Sequence, residues 1–280
     1  WTNMPWDHDT EREIVDYLNT RRHGTQDWIW FHDEPQEDAS KIEKETGLDF
    51  SRPVIGMLTN VMWDAQLHYK SNAFSNMLEW VLRSIEHFSG RPELQLAIRV
   101  HPAEVRGSVP SRQPLVDEIE KAFPTLPTNV KLIPPESQIS SYTLVETCDA
   151  VTIYNTKMGI EAACMGVPVI VAGEAWIRGK GFSNDADSPE EYFTILDGLP
   201  FKSRLDGVQL ELARRYAYHF FFRRMIPLEF ITSDEGHKYG LQLDRLSDFK
   251  IGNFAGLDTM CDGILNASPF NFGAKESIFE

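Results

Sequence analysis

The chain has 280 residues, 42% of them hydrophobic, which is enough for one large folded domain or two modest ones. Its 42 acidic residues outnumber its 27 basic residues, and the formal net charge is -15. This balance excludes a broad cationic face of the kind that neutralises phosphates, so we expect no nucleic-acid partner.

The cysteines and the hydropathy indicate the compartment. Cys148, Cys164 and Cys261 stand singly among apolar neighbours, which predicts buried thiols in a reducing environment without disulfides or a thiolate metal site. No apolar run reaches the roughly 18 to 20 residues of a membrane span, and the start of the sequence lacks a signal-peptide pattern. We therefore expect a cytoplasmic protein.

Two polar helices are predicted at the start of the chain. Residues 10–13, Thr-Glu-Arg-Glu, have the pattern of a capping box that opens a helix ending near Arg22. A second helix is predicted over residues 35–45, closed by Gly47.

From residue 53 onward, apolar runs alternate with helical patterns. The runs at 53–60, 94–100, 130–133, 149–154 and 168–173 have the length and composition of strands buried on both faces. Helices are predicted over 72–88, 115–122, 158–165 and 208–225, and from Ser141 onward. The alternation predicts an α/β fold with a Rossmann-like, doubly wound parallel sheet and additional helices at both ends.

Ligands of such sheets bind outside the carboxyl ends of the strands, where this sequence places His101. Pro102 ends the second predicted strand and leaves the imidazole at that edge, with Arg99 two residues back on the same side. An imidazole there can donate a hydrogen bond to a phosphate oxygen. A histidine that caps a turn fits the sequence equally well.

The segment after the fourth predicted strand has the pattern of an anion site. Asn155, Thr156 and Lys157 lead into a helix, with Gly159 allowing close approach of the backbone to a ligand. Glu161 follows one turn later among small residues, where its carboxylate could accept hydrogen bonds from ribose hydroxyls. A solvent-facing helical glutamate is the alternative.

Weaker candidates follow the other strands. Glu136 lies after the third predicted strand, and Ser140 and Ser141 have the pattern of a helix N-cap with a second hydroxyl available to a ligand. Arg178 and Lys180 lie in a glycine frame suited to a mobile clamp on a phosphate or an acidic sugar, or to a plain basic turn.

One motif is discounted. Asp185-Ala186-Asp187 is similar to a metal-binding pattern, but it precedes Ser188-Pro189-Glu190-Glu191, a helix start, so we interpret it as a capping loop and expect no metal site.

The segments RVHPAE, NTKMGIEAACMGVPVIVAG and AWIRGKGFSNDADSPEEYFTIL resemble the C-terminal, nucleotide-sugar-binding half of bacterial capsule polysaccharide biosynthesis glycosyltransferases with the GT-B fold. The resemblance implies a metal-independent transferase without a cofactor. Its substrate would be a nucleotide sugar, with a CMP-linked acidic sugar such as Kdo favoured. Its acceptor would be an oligosaccharide or glycolipid of a growing surface polysaccharide. The Arg-Val-His-Pro here departs from the Lys-Pro-His-Pro of some Kdo transferases.

The resemblance also implies roles for particular residues. His101 and Pro102 would contact the donor phosphate together with Ser140, Ser141 or Thr156, and Glu161 would hold the ribose. We nominate Asp64, in the loop after the first predicted strand, as the base that takes the acceptor's proton; a loop anchor is the alternative. His101 is the second catalytic candidate, because it would stabilise the charge on the leaving phosphate.

Complete GT-B enzymes have a second domain for the acceptor. We therefore predict a helical linker or remnant of an N-terminal acceptor domain over residues 1–50, the nucleotide-sugar domain over 51–200, and a helical extension packing on it over 201–280. Other subunits or domains would bring the protein to the inner membrane face. A sugar-nucleotide 2-epimerase-like enzyme and a non-catalytic nucleotide-binding domain remain as alternatives.

Overall fold

The structure is a computed structural model that describes residues 1–24, 35–107, 109, 111–233 and 239–273. Its contacts divide the chain into two compact units, one of residues 18–214 and one of residues 1–17 with 215–280. The division falls inside the first and ninth helices. The predicted division at residues 50 and 200 stays a prediction.

Six strands in the described residues of the first unit form one parallel sheet with the order β3-β2-β1-β4-β5-β6. They are β1 Val54–Leu58, β2 Gln95–Arg99, β3 Val130–Ile133, β4 Ala150–Ile153, β5 Val169–Val171 and β6 Asn184–Asp185. The doubly wound α/β sheet is thus confirmed. The sequence did not reveal β6, because two polar residues paired with Ile170 and Val171 carry no apolar pattern.

The helices cover the segments between these strands and both ends of the chain. They are α1 His8–Arg22, α2 Ala39–Thr46, α3 Met77–Ser89, α4 Ala103–Arg106, α5 Leu115–Ala122, α6 Ser141–Thr147, α7 Met158–Cys164, α8 Pro189–Asp197, α9 Gly207–Tyr218 and α10 Ala255–Asn266. Short 3-10 turns lie at Ala65–His68 and Leu246–Phe249, and α9 continues into a π-helical turn at His219–Arg224. No helix in the described ranges is long and apolar enough to cross a membrane.

Local capping decides where several helices begin. The capping box predicted at residues 10–13 is wrong, because Asp7 accepts a hydrogen bond from the Thr10 N–H at 2.8 Å and α1 begins earlier, at His8. Gly47 closes α2 in the left-handed conformation, as predicted. Asn76 caps α3 by accepting from the Glu79 N–H, so α3 begins later than the pattern predicted.

The core of the first unit forms between the sheet and its helices. Trp80, Val81, Ile85 and Phe88 lie on one face of α3 at helical spacing and are fully buried. All five residues of β1 and of β2 are buried, as expected for strands covered on both faces.

The cysteine prediction is partly confirmed. Cys148 and Cys164 are buried, and burial raises the pKa of the Cys148 thiol to about 12. Cys261 is exposed, so the prediction of a third buried thiol is wrong.

The second unit holds the end of the chain. β7 Ile231–Ser233 pairs with β8 Tyr239–Leu241 in an antiparallel hairpin. Within this unit Tyr17 contacts Phe221 and Phe222, with ring centroids 5.3 and 5.0 Å apart.

Candidate functional site

The candidate site lies at the carboxyl edge of the sheet, where β1 and β4 are neighbours. The chain leaves β1 toward β2 and β3 on one side, whereas β4 leads to β5 and β6 on the other. The connections therefore diverge at this point, and a doubly wound sheet has its ligand-binding crevice at such a switch.

A side-chain bridge spans the ends of β1 and β4. The Asn60 Nδ2 donates to Asp64 Oδ2 at 2.9 Å and to Asn155 Oδ1 at 3.2 Å. The Asn60 Oδ1 accepts from the Val61 N–H at 2.9 Å, which fixes the orientation of the amide. Asn155 is buried and Asp64 is partly buried, so the bridge holds a carboxylate at the crevice in a defined place.

His101 lies on the other side of β1, at the end of β2. Its backbone N–H donates to Thr59 Oγ1 at 3.2 Å, and its Nδ1 accepts from the Ala103 N–H at 3.1 Å. The second contact places the proton of a neutral imidazole on Nε2. Burial, aided by the charge of Arg99, lowers the pKa of His101 to about 4, against the opposing charge of Asp64. At neutral pH this side chain therefore presents one N–H donor and no charge.

Arg99 is buried and holds the loop between β3 and α6. Its guanidinium donates to the Pro134 carbonyl at 2.7 Å and the Ser137 carbonyl at 3.1 Å. Burial lowers the pKa of Arg99 to about 10, so it remains charged at neutral pH. Both carbonyls belong to the segment between β3 and α6, so Arg99 fastens this loop to the end of β2.

The loop held by Arg99 carries three further candidates. Ser140 is the N-cap of α6, since its Oγ accepts from the Thr143 N–H at 3.3 Å; the predicted cap is confirmed. The Ser141 hydroxyl accepts from Arg99 Nε at 3.4 Å. Glu136 is exposed, and Pro102 is buried at the start of α4.

The predicted anion loop connects β4 to α7. Lys157 is exposed, and the Thr156 Oγ1 accepts from the Met158 N–H at 3.4 Å. Gly159 has a packing role, because a Cβ added there would lie 2.4 Å from Ile153 Cδ1. The glycine therefore lets α7 lie directly on β4.

Glu161 is buried in an ion pair. Its Oε1 accepts from Arg21 Nη2 at 3.0 Å and Nε at 3.2 Å, and its Oε2 accepts from the Tyr142 hydroxyl. Only 4% of the Glu161 side chain and 11% of the Arg21 side chain are exposed. The carboxylate therefore joins the last turn of α1 to α6 and α7, and the solvent-facing alternative is excluded.

Arg178 donates to backbone carbonyls of the segments that follow β5 and β6. It donates to the Gly173 carbonyl at 3.1 Å and to the Ala186 carbonyl, and it pairs with Asp187 at 2.9 Å. Lys180, the other cation of this loop, is partly buried.

The Asp185-Ala186-Asp187 segment runs from the end of β6 to the N-cap of α8, and the helix start predicted at Ser188 is confirmed. Asp185 accepts from the Gly179 N–H at 2.6 Å, and Asp187 pairs with Arg178. Ser188 caps α8 through the Glu191 N–H at 3.2 Å. Among the described residues, no group of three or more His, Cys, Asp or Glu side chains is placed to hold a metal ion.

The structure thus brings together some predicted residues and not others. Asp64, His101 and Asn155 meet around the β1–β4 crevice, and Asn60 joins them although sequence reasoning did not single it out. Its position as a polar residue directly after β1 was the available signal. Arg21, the partner of Glu161, lies 140 residues away in the chain and gave no signal.

Comparison with known proteins places the chain in a family. A family model for capsule polysaccharide biosynthesis proteins matches residues 31–195, more than half of the chain. No curated protein matches.

Solved structures give weaker similarity. The β-Kdo 2,7 transferase of KpsC from Thermosulfurimonas dismutans is 17% identical, with 75% of this chain and 53% of that chain covered and a TM-score of 0.40. The β-Kdo 2,4 transferase of the same KpsC is 14% identical, with 75% and 56% covered and a TM-score of 0.46. The UDP-GlcNAc 2-epimerase from Neisseria meningitidis is 14% identical, with 74% and 48% covered and a TM-score of 0.41.

The chain thus spans about half the length of these solved chains. On the match to the family model, it belongs to the capsule polysaccharide biosynthesis protein family.

Proposed function

We propose that the chain forms the donor-binding part of a glycosyltransferase of surface polysaccharide synthesis, with a CMP-linked acidic sugar such as Kdo as the favoured donor. The family supports the pathway, and the crevice between β1 and β4 supports donor binding. The observation that carries the proposal is the neutral His101 donor beside the Asn60-held carboxylate of Asp64.

In this proposal the donor phosphate lies at the ends of β2 and β4. The Nε2–H of His101 donates to a phosphate oxygen, and the exposed ammonium of Lys157 supplies positive charge, with Lys180 as a second cation. These groups stabilise the negative charge that develops on the phosphate as the glycosidic bond breaks. Pro102 shapes the turn after β2, and Thr156 and Ser141 are the hydroxyls proposed to contact the phosphate.

Arg99 and Arg178 act indirectly in the proposal. Each is bound to backbone carbonyls at the sheet's carboxyl edge, so each contributes positive potential and holds a loop in place. Through Arg99 the loop carrying Glu136 and Ser140 keeps its position.

Glu161 is proposed to hold the ribose only after its present partners rearrange. Its side chain is enclosed by Arg21 and Tyr142, so ribose hydroxyls reach it only if one of these moves away. Each carboxylate oxygen can accept two hydrogen bonds, which leaves acceptor capacity once access exists.

Asp64 is the proposed base. The amide of Asn60 holds one of its oxygens, and the carboxylate is close enough to His101 to oppose the lowering of that pKa. A carboxylate held at the edge of the crevice can take the proton from an acceptor hydroxyl as it attacks the donor sugar. The acceptor would be an oligosaccharide or glycolipid, and no metal takes part in the proposed steps.

Calorimetric titration with CMP, UDP and GDP tests donor binding. We expect CMP to bind most tightly, and we expect His101→Ala and Lys157→Ala each to weaken it. Lys121→Ala is the matched control, because Lys121 is an exposed lysine on α5, away from the strand ends. Equal CMP affinity in all three variants would contradict the proposal.

A second assay separates transfer from the alternatives. Incubation with CMP-Kdo or UDP-GlcNAc alone leaves the sugar unchanged if the protein is a transferase that requires an acceptor. Epimerisation of UDP-GlcNAc without an acceptor would instead support a 2-epimerase. Nucleotide binding without any turnover in the presence of acceptor glycans would support a non-catalytic domain.

A further inference from the structure

Exposed apolar side chains concentrate at the carboxyl edge of the sheet. Among the described residues of unit 18–214, the large hydrophobic side chains that are exposed are Trp63, Leu67, Tyr69, Val105, Val109, Trp176 and Val208. All except Val208 lie in segments that follow β1, β2 or β5. Exposed apolar side chains in the loops that follow parallel strands are candidates for ligand contact.

Trp63 is the best-placed member of this group. It is 44% exposed, and its indole Nε1–H donates to the Ser111 hydroxyl at 3.1 Å. The hydrogen bond restrains the indole, so a ligand that contacts its face has less side-chain entropy to remove. Asp64, the next residue, is the carboxylate held by Asn60.

This arrangement fits the chemistry of a sugar. A pyranose ring has an apolar face of C–H bonds and a rim of hydroxyl groups, so it can stack on a flat aromatic surface while its hydroxyls donate to acceptors beside that surface. Trp63 supplies the surface and Asp64 the adjacent acceptor. After β5, Trp176 is 50% exposed two residues beyond Glu174, which accepts from Asn72 at 2.8 Å.

We propose that Trp63 is an acceptor subsite, on which a pyranose ring of the acceptor glycan stacks so that a hydroxyl group faces Asp64. The inference rests on the proposed transferase function and specifies where its acceptor binds. A nucleobase is the competing occupant of an exposed indole. The position of Trp63 beside the proposed base, which must meet the acceptor hydroxyl, favours the sugar.

Fluorine NMR of the full chain labelled with 5-fluorotryptophan tests the subsite. The chain has seven tryptophans, and the signal that disappears in Trp63→Phe is that of Trp63. The probes are maltotetraose, chitotetraose and a tetramer of α2,8-linked sialic acid, each titrated with and without saturating CMP. The buried Trp80 is the internal control, because no ligand can reach its ring.

We expect at least one probe to shift the Trp63 signal in a saturable way while the Trp80 signal stays constant. Trp63→Ala should weaken that probe on the order of tenfold, the scale of one aromatic stacking contact. Trp63→Phe should retain part of the affinity, and Ser111→Ala should weaken binding by a smaller factor because only the orientation of the ring is lost. CMP affinity should be equal in all of these variants.

Three results would overturn the subsite. They are an unmoved Trp63 signal with all three probes, equal probe affinity in Trp63→Ala, and a loss of CMP affinity in Trp63→Ala, which would assign the indole to the nucleobase. A different result would contradict the proposed function itself. In that case the unsubstituted protein would bind none of CMP, UDP and GDP.

Discussion

Removal of Arg21 should destabilise the protein strongly. Arg21 and Glu161 form a buried ion pair, with 11% and 4% of their side chains exposed. When one partner of such a pair is removed, the other is left as an uncompensated buried charge, which costs about 3–5 kcal/mol. For the first unit, residues 18–214, this cost corresponds to a fall in melting temperature of about 6–20 °C.

The assay is urea unfolding of Arg21→Ala, Glu161→Gln and the double variant. The double-mutant cycle should give a coupling energy between the two side chains of about 1–3 kcal/mol, because they are in direct contact. Lys121→Ala is the matched control: Lys121 pairs with Glu118 at 2.6 Å, but 69% of its side chain is exposed, so its loss should leave the free energy of unfolding nearly unchanged.

Two outcomes would show that the buried ion pair does not stabilise the protein as expected. An Arg21→Ala variant as stable as Lys121→Ala would show that the pair contributes no more than a surface contact. A coupling energy near zero would show that Arg21 and Glu161 act independently. Titration of CMP into Arg21→Ala then examines the ribose proposal, since removal of the enclosing guanidinium should raise CMP affinity if Glu161 holds the ribose.

Three other perturbations test the site and its frame. Burial lowers the pKa of His101 to about 4 in the folded protein. Between this pKa and the ordinary pKa of histidine, the unfolded state therefore binds more protons than the folded state. The free energy of unfolding should therefore fall as the pH is lowered from about 6.5 to 4, and His101→Gln should reduce this fall; an unchanged pH profile in that variant would contradict the assignment. Asp64→Asn should lower transfer by about 10²–10⁴-fold with CMP affinity unchanged, and transfer at the original rate would exclude Asp64 as the base. Gly173→Ala should lower the free energy of unfolding of the first unit by about 1–3 kcal/mol or more, because the added Cβ would lie 2.5 Å from the Tyr154 carbonyl oxygen. Urea unfolding measures this change. An unchanged midpoint would show that the backbone at Gly173 adjusts freely.

The strands could be predicted because their signal is local. Each apolar run that predicted a strand contains one in the structure. β1, β2, β4 and β5 are buried along their whole length, which favours mainly apolar residues there. β6 has two residues and pairs only at an edge, so its sequence carries no such requirement.

The partners of the basic residues could not be predicted from the sequence. A cation after a strand fits a phosphate site and also fits an unpaired carbonyl of a neighbouring loop. Arg99 meets a carbonyl 35 residues away and Arg178 meets several at the end of the sheet, contacts that only the folded chain reveals. The location of His101 and Asp64 at one edge of the sheet could be predicted, because each follows a strand and β1 and β2 are parallel neighbours; their roles stay predictions.

A crystal structure with CMP shows whether the β1–β4 crevice binds the donor nucleotide. We expect a phosphate oxygen within about 2.7–3.2 Å of His101 Nε2, with the nucleotide lying across the ends of β2, β1 and β4. CMP bound elsewhere, or a phosphate out of reach of His101, would contradict this expectation.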